Sequence, residues 1–427
     1  MSATTDFKGR PLIAITGIGI VSSLGAGVEA NWEALTAGRS GIHRIERFST
    51  EGLRTTIAGT VDFMDLDPLT STGLSYAMAE AAGAEAVRMA GLSDRDFGGP
   101  LFLAAPPVEM EWVHRMALDA MDGATIEEAG YDRLLQIARE RPDPSIYHLT
   151  QCSRISELLA DRLGTRGLPI TLSTACASGA TAIQLGVEAI RRGETTRAIA
   201  VGTDGSITPE SVIRFSLLSA LSTNNAVPER ASRPFSKDRD GFVMAEGAGA
   251  LVLESLESAR ARGAKVLAIL KGCGERADDF HRTRSKPDGS PIIATIRAGL
   301  ADAGLEPSDV DYINAHGTST PENDRMEANG LGAVFGEALA TTPISSNKSM
   351  IGHTLTAAGA IEAAFCVLTL QRGVLPPTIN YEVPDPAIAL DLVPNVARPA
   401  EVSTILSNSF GFGGQNASLV IAREPGA

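Results

Sequence analysis

The chain of 427 residues is 44% hydrophobic and 21% charged, enough to bury a large core in two or three domains of about 100–200 residues each. Its 37 Lys and Arg stand against 51 Asp and Glu, a net charge of −14 at pH 7, which excludes the basic footprint of a nucleic-acid binder. Four widely spaced cysteines (Cys152, Cys176, Cys273, Cys366) exclude a disulfide framework or structural zinc, and no apolar run reaches the ~18–20 residues of a membrane span. The polar start, MSATTDFKGRP, lacks the apolar stretch of a signal peptide, so a reducing, cytoplasmic location is expected.

In chain order, residues 11–19 (PLIAITGIG) read as a buried strand ending in glycine. Residues 105–150, from APPVEMEW to ERPDPSIYH, read as an insertion of helices and loops. A short strand-like stretch at 168–172 runs into a helix at 177–192. Strands follow at 196–202, 248–253, 265–270 and 310–314, and helices at 255–262, 291–303 and 357–372. Continuous apolar strands separated by helices predict sheets covered on both faces, an α/β fold. The charged stretch 255–265 (SLESARARGAK) predicts a junction between two α/β halves, 1–260 and 261–427.

Four places carry candidate chemistry. Cys176 stands in TLSTACASG, between the strand-like stretch and the helix, where N–H groups and the helix dipole favour a thiolate and can stabilise an oxyanion. A buried structural cysteine is the alternative. His316, in NAHGTST after a strand, offers a base and neighbouring hydroxyls, or is a satisfied core histidine. Lys348 and His353 in SSNKSMIGHTLTAAG precede a helix of small residues, at a site or on a surface loop. Finally, NSFGFGGQN (408–416) interleaves glycine with Phe410 and Phe412 before a C-terminal strand, as a hinge or an ordinary turn. It lacks the Lys-Ser/Thr of a phosphate-binding loop.

Together these places resemble the elongating β-ketoacyl-acyl carrier protein synthases with two histidines. The likeness runs from ITGIGIVSSLG (15–25) through ASRPFSKDRDGFVMAEGAGALVLE (231–254), NAHGTSTPENDRME (314–327), NKSMIGHTLTAAGAIE (347–362) and PPTIN (376–380) to NSFGFGG (408–414). It implies a thiolase-like five-layered αβαβα fold of two pseudo-repeated halves, with the cysteine in the first half and the histidines and lysine in the second. It also implies a homodimer, or a heterodimer with a related ketosynthase, and an acyl carrier protein as partner. No metal and no cofactor are implied.

By motif position the resemblance makes Cys176 the acyl-accepting nucleophile, and His316 and His353 the donors to the malonyl thioester oxygen. Lys348 matches the family lysine, with Glu362 orienting it. Phe412 supplies an oxyanion-hole N–H beside that of Cys176 and acts as a gate, moving on Gly411, Gly413 and Gly414. Thr318 and Thr320 match the residues that bind the pantetheine arm, and Asp324 and Glu327 hold the site loops. The reaction implied is decarboxylative Claisen condensation in fatty-acid elongation.

Three departures from the family pattern bear on specificity. Residues 67–79 (DPLTSTGLSYAMA) lack the Lys or Arg usual for carrier docking, and Ser219 replaces an expected arginine. Docking is then expected at another patch, such as Arg191, Arg192, Arg282, Arg284 and Lys286, or with a specialised carrier. At 104–110, AAPPVEM replaces a glycine-rich stretch at the acyl pocket. Gln415 also stands where Thr is usual. These changes keep open a ketosynthase of a specialised pathway, for polyketides or very long lipid chains. A non-condensing partner subunit is disfavoured by Cys176, and a degradative thiolase by the absence of a second cysteine in NSFGFGG.

Overall fold

The structure, a computed structural model, describes residues 4–66, 69–107, 110–112, 114–116, 130–140, 148 and 150–424. The expected insertion at 105–150 lies largely outside the described residues; one helix within it, Tyr131–Glu140, is described. Residues 67–68 of the expected docking segment and residues 108–109 of the altered pocket stretch also lie outside them.

The first wing of the sheet is built from β1 (Ile13–Ser22), β2 (Leu101–Ala104), β3 (Ile170–Leu172), β4 (Arg197–Asp204) and β5 (Gly247–Ser255). Its lateral order is β3-β2-β4-β5-β1. The β3/β2 and β2/β4 pairs are parallel, and β4/β5 and β5/β1 are antiparallel. The second wing contains β6 (Ala268–Ala277), β7 (Tyr312–Asn314), β8 (Pro343–Ser345), β9 (Asp391–Leu392), β10 (Thr404–Phe410) and β11 (Gln415–Ala422). Its order, β9-β8-β7-β10-β11-β6, repeats the scheme. There β8/β7 and β7/β10 are parallel, and β10/β11 and β11/β6 are antiparallel. The wings join where Ile13–Ile15 of β1 pair with Ala268–Leu270 of β6.

Helices fill three further layers. Outside the first wing, α1 (Ser71–Met89) sets Leu74 and Met78 against Leu101 and Leu103 of β2. Between the wings lie α2 (Ser178–Arg191) and α6 (Ala358–Arg372), whose Ile183, Val187, Ile361 and Phe365 share one core with both sheets. Outside the second wing, α4 (Ser290–Ala303) and α5 (Pro321–Phe335) pack Ile296, Leu300 and Leu331 on Leu406 of β10. A shorter helix, α3 (Pro209–Leu217), follows β4. The result is the expected thiolase-like αβαβα arrangement of two pseudo-repeated halves. Each fully buried Leu or Ile contributes about 1.5–3 kcal/mol, so α2 and α6, buried against both wings, anchor the molecule.

The starts of α2 and α6 touch backbone to backbone. A Cβ on Gly179 would lie 2.6 Å from the Ala360 nitrogen, and one on Gly359 would lie 2.6 Å from the Ala180 nitrogen. The small-residue stretches in the sequence therefore bring the Cys176 turn against the segment that carries His353.

The expected strand at 265–270 is displaced. It begins at Ala268 and continues to Ala277 through KGCGERA, which carries no apolar run. Its continuation is held by pairing with β11, and Gly272 and Gly274 lie directly beneath the α4 backbone. Absent side chains permit the close approach but leave no hydrophobic signal to read. Among the described residues no helix is long and apolar enough to cross a membrane, and all four cysteines are free.

Candidate active site

Cys176 sits in a single 3₁₀ turn, Ala175–Ala177, between β3 and α2. Ala175 holds φ 49°, a conformation costly for a residue with a Cβ. The turn is tied down by Ser178, whose Oγ accepts the Thr174 N–H at 2.7 Å and donates to the Ala175 carbonyl at 2.6 Å. The backbone N–H groups of Phe412 and of Cys176 itself both point at the Cys176 sulfur. Two amides aimed at one point form an oxyanion-hole arrangement.

The helix N-terminus is expected to favour the thiolate, but here burial prevails. Cys176 is 8% exposed, and desolvation pushes its thiol up to about 11, against the Phe412 amide and the Lys348 charge, which lower it. Alkylation of Cys176 by iodoacetamide, followed by intact mass, should therefore still be accelerating at about pH 9. A plateau below about pH 8 would show that the thiolate already predominates there.

His316 follows β7 and is held through its backbone. The Glu327 carboxylate on α5 accepts the His316 and Gly317 N–H groups, both at 2.8 Å. Burial pushes Glu327 up to about 7. Asp324, also on α5, accepts the Ser319 N–H at 3.2 Å and the Phe235 N–H at 2.8 Å, and faces Arg239 at 3.5 Å. Both carboxylates thus fasten the loop 316–320. Thr318 and Thr320 hydroxyls lie 2.9 Å apart, and Thr320 caps α5 by accepting the Asn323 N–H.

His353 is pinned by the N–H of Leu355, which donates to Nδ1 at 3.3 Å. An accepting Nδ1 places the ring proton on Nε2, which has no partner among the described residues, as is true of His316 Nδ1. The two rings stand edge to face at 5.3 Å. Desolvation, with the nearby Lys348 charge, holds both histidines well below their usual value, so both rings are neutral at pH 7. Lys348 is 1% exposed and its ammonium meets the buried Glu362 carboxylate of α6. Among the described residues, Cys176, His316 and His353 bring one sulfur and two ring nitrogens within 4.8 Å of one another. Residues 140 or more positions from Cys176 in the chain are thus brought to its sulfur.

Two cavities meet at Cys176. The first, about 460 Å³, is bordered by both histidines, Thr318, Thr320, Arg282 and Arg284. The second, about 310 Å³, shares Cys176, Phe215, Leu355 and Phe412 with the first. The Phe412 loop is stitched to a neighbouring loop: Gly413 N–H donates to the Arg282 carbonyl and Asp278 N–H to the Gly414 carbonyl, each at 2.7 Å. A Cβ on Gly414 would fall 1.9 Å from the Asp278 oxygen, and its φ is 91°, so only glycine fits there.

The expected basic patch is not assembled as a unit. Arg191 is consumed by ion pairs, with its side chain 4% exposed and Asp302 at 2.8 Å. Arg192 pairs with Glu194 and Lys286 faces Asp288. Arg282 and Arg284 remain, exposed and without an ion-pair partner among the described residues. The sequence also failed to single out Asp204, Glu111 and Glu210, which border the second cavity. Each is a lone acid, Asp204 at the end of β4 and Glu210 in the first turn of α3, and no spacing marks it.

The family model for "Beta-ketoacyl synthase, N-terminal domain" matches residues 11–259, and that for "Beta-ketoacyl synthase, C-terminal domain" matches residues 267–382. The chain belongs to the β-ketoacyl synthase family. Cys176 falls in the first matched segment, and His316, Lys348, His353 and Glu362 fall in the second. Among β-ketoacyl synthases, the chain is 37% identical over 420 residues to the "3-oxoacyl-[acyl-carrier-protein] synthase 2" of Coxiella burnetii, covering 96% of this chain and 98% of that one. It is 38% identical over 423 residues to the "Tetracenomycin polyketide synthase ketoacyl synthase alpha subunit" of Streptomyces glaucescens, covering 96% and 97%. A solved ketosynthase bound to a hexaketide, in complex with a type II polyketide acyl-carrier protein, superposes with TM-score 0.84 at 32% identity, covering 97% and 100%. The ishigamide ketosynthase/chain length factor gives TM-score 0.82 at 35% identity, with the same coverage.

Proposed function

We propose that the chain is a 3-oxoacyl-acyl carrier protein synthase, catalysing decarboxylative Claisen condensation between an acyl group on Cys176 and a malonyl-carrier. The observation that carries this reading is the convergence of the Cys176 sulfur and both histidine rings where two cavities meet. Cys176 attacks the carrier thioester, the acyl C–S bond to pantetheine breaks, and the thiol proton ends on the departing pantetheine sulfur. The pantetheine arm of the malonyl-carrier then lies in the first cavity, against Thr318 and Thr320. Its carboxylate leaves as CO₂, and the electron pair forms an enolate. His353 Nε2–H donates to the enolate oxygen, with His316 beside it. The enolate carbon attacks the acyl carbonyl, whose oxyanion meets the Phe412 and Cys176 amides. Cys176 then leaves and is reprotonated.

Neutral histidines suit this role, because they donate hydrogen bonds without adding a buried charge. Lys348 and Glu362 set the local field, and Asp324 and Glu327 hold the loop. Phe412 borders both cavities and acts as the gate. An assay with purified acyl- and malonyl-carriers, reading product masses, tests the reading. Absence of a product longer by two carbons would overturn it. His316→Ala or His353→Ala should lower decarboxylation at least about a hundredfold, and unchanged decarboxylation would remove that residue from the mechanism.

Arg282 and Arg284 are the docking cations for an acidic carrier on this acidic chain. Reversing both to Glu should raise the KM for carrier about tenfold while leaving kcat nearly unchanged, with a steeper effect at low salt. An unaltered KM would move docking elsewhere.

We further propose a dimer, homodimeric or with a related ketosynthase, formed through the sheet edge at β3. That edge leaves Leu168 91% and Ile170 47% exposed, shortly before Cys176 in the chain. The halves 1–260 and 261–427 are taken to meet at the short helix Leu256–Ala261, between β5 and β6. Four free thiols fit a reducing cytoplasmic site of action. Relatives with polyketide names, as similar as those with fatty-acid names, support a second pathway reading, a polyketide-type ketosynthase with the same chemistry.

A further inference from the structure

His353 begins a short strained turn that is held at both ends. At the near end its own N–H donates to the Val243 carbonyl at 2.7 Å, and its carbonyl accepts the Ala245 N–H at 2.9 Å. Two residues on, Leu355 opens the 3₁₀ turn Leu355–Ala357 with φ 46°, a left-handed value that is costly for a residue with a Cβ. From that conformation its N–H reaches back to His353 Nδ1 at 3.3 Å. Such a cost persists only where the surroundings over-determine the backbone. The far end is Thr356. Its N–H donates to Asp204 Oδ2 at 3.2 Å, and its hydroxyl lies 2.8 Å from the same oxygen and 2.7 Å from the Thr203 carbonyl. Asp204, the last residue of β4, is buried, and its Oδ1 accepts the Ser206 N–H and hydroxyl at 3.1 and 2.5 Å. The turn lies so close over β4 that a Cβ on Gly202 would sit 3.3 Å from the Thr356 carbonyl.

We propose that Asp204 and Thr356 are positioning residues for the decarboxylation step, holding Leu355 so that its N–H fixes the Nε2–H tautomer of His353. This rests on the reading of His353 as a donor to the enolate oxygen. A neutral imidazole has two tautomers, and only the one with an unprotonated Nδ1 can accept the Leu355 N–H. That same tautomer carries the proton at Nε2. Releasing the turn at Thr356 lets Leu355 relax to a negative φ and takes its N–H off Nδ1. The ring then holds its proton at either nitrogen, and the wrong tautomer offers the enolate oxygen no donor. The Cys176 turn is tied down separately by Ser178, so the reactivity of the thiol does not share this dependence.

The test uses the full chain and malonyl-pantetheine, with CO₂ release as the measurement. Thr356→Val keeps the shape of the side chain but removes its hydroxyl, and should lower decarboxylation about tenfold. Thr356→Ser, which restores the hydroxyl, should recover most of that loss. Nuclear magnetic resonance of protein isotope-labelled at the histidine nitrogens reads the tautomer, the His353 ring being identified by its absence from His353→Ala. That ring should be Nε2–H in the unmodified chain and a mixture of tautomers in Thr356→Val, while iodoacetamide alkylates Cys176 at the same rate in both. Thermal melting checks folding, and Asp204→Asn takes the place of Thr356→Val if the latter does not fold. Unchanged decarboxylation in the folded variant, a loss without a change of tautomer, alkylation slowed as much as decarboxylation, or a Thr356→Ser chain as slow as Thr356→Val each overturns the proposal. Decarboxylation that survives His353→Ala, or that the unmodified chain fails to perform, overturns the reading of His353 instead.

Discussion

Replacing Cys176 with alanine is expected to abolish chain elongation and the acyl-enzyme mass together, by at least about a thousandfold. Alanine keeps the 3₁₀ turn and removes one sulfur, so α2 and the two wings should remain folded. Malonyl decarboxylation need not vanish, because the histidine donors and the amides at Phe412 and position 176 survive the change. Elongation that persisted in Cys176→Ala would remove this residue as nucleophile. The measurement is product mass from acyl- and malonyl-carriers, with thermal melting of the same sample as the control for folding.

The second large effect is expected at Lys348. Lys348→Met leaves the Glu362 carboxylate buried and unpaired, which costs about 3–5 kcal/mol of stability when a buried pair loses one partner. Glu362 is already raised by burial, with Lys348 lowering it. Removing the lysine raises it further, so the variant gains a stability term present at acid pH and lost as pH rises through the folded-state value. Urea melts at about pH 5 and pH 8 should therefore show the larger deficit at the higher pH. The double variant Lys348→Met, Glu362→Gln should recover most of the loss, since no unpaired charge remains. A pH-independent deficit, or no recovery in the double variant, would show that the pair is not the origin. Losing the lysine charge also relieves both histidines, whose values should rise. The acid limb of the activity profile should then move to higher pH.

Much of the site is legible in the amino-acid sequence because its chemistry is written in contiguous motifs. NAHGTST, NKSMIGHTLTAAG and NSFGFGG each form a strand end, a turn or a helix start, and local backbone preferences keep each together. Strands such as β1 and β5 are visible because they are buried on both faces and read as unbroken apolar runs. The far half of β6 is not, since glycines beneath α4 leave nothing apolar to count. The proposed docking patch is legible only as a set of basic residues. Charge in a sequence does not reveal its partners, and Asp302 removes Arg191 from the set while Arg282 and Arg284 stay open.

The acidic balance of −14 and the motif residues belong to the sequence alone, as do the proposed nucleophile, histidine pair and gate loop. Tertiary structure decided which protons those groups hold. Burial keeps the Cys176 thiol protonated and both histidines neutral, and burial depends on layers contributed by distant segments. It also decided what borders the second cavity, where Glu111 and Glu210 stand 99 positions apart in sequence yet are linked through Trp112. Desolvation and long-range contact arise only when the two wings close around α2 and α6, and no window of sequence contains them.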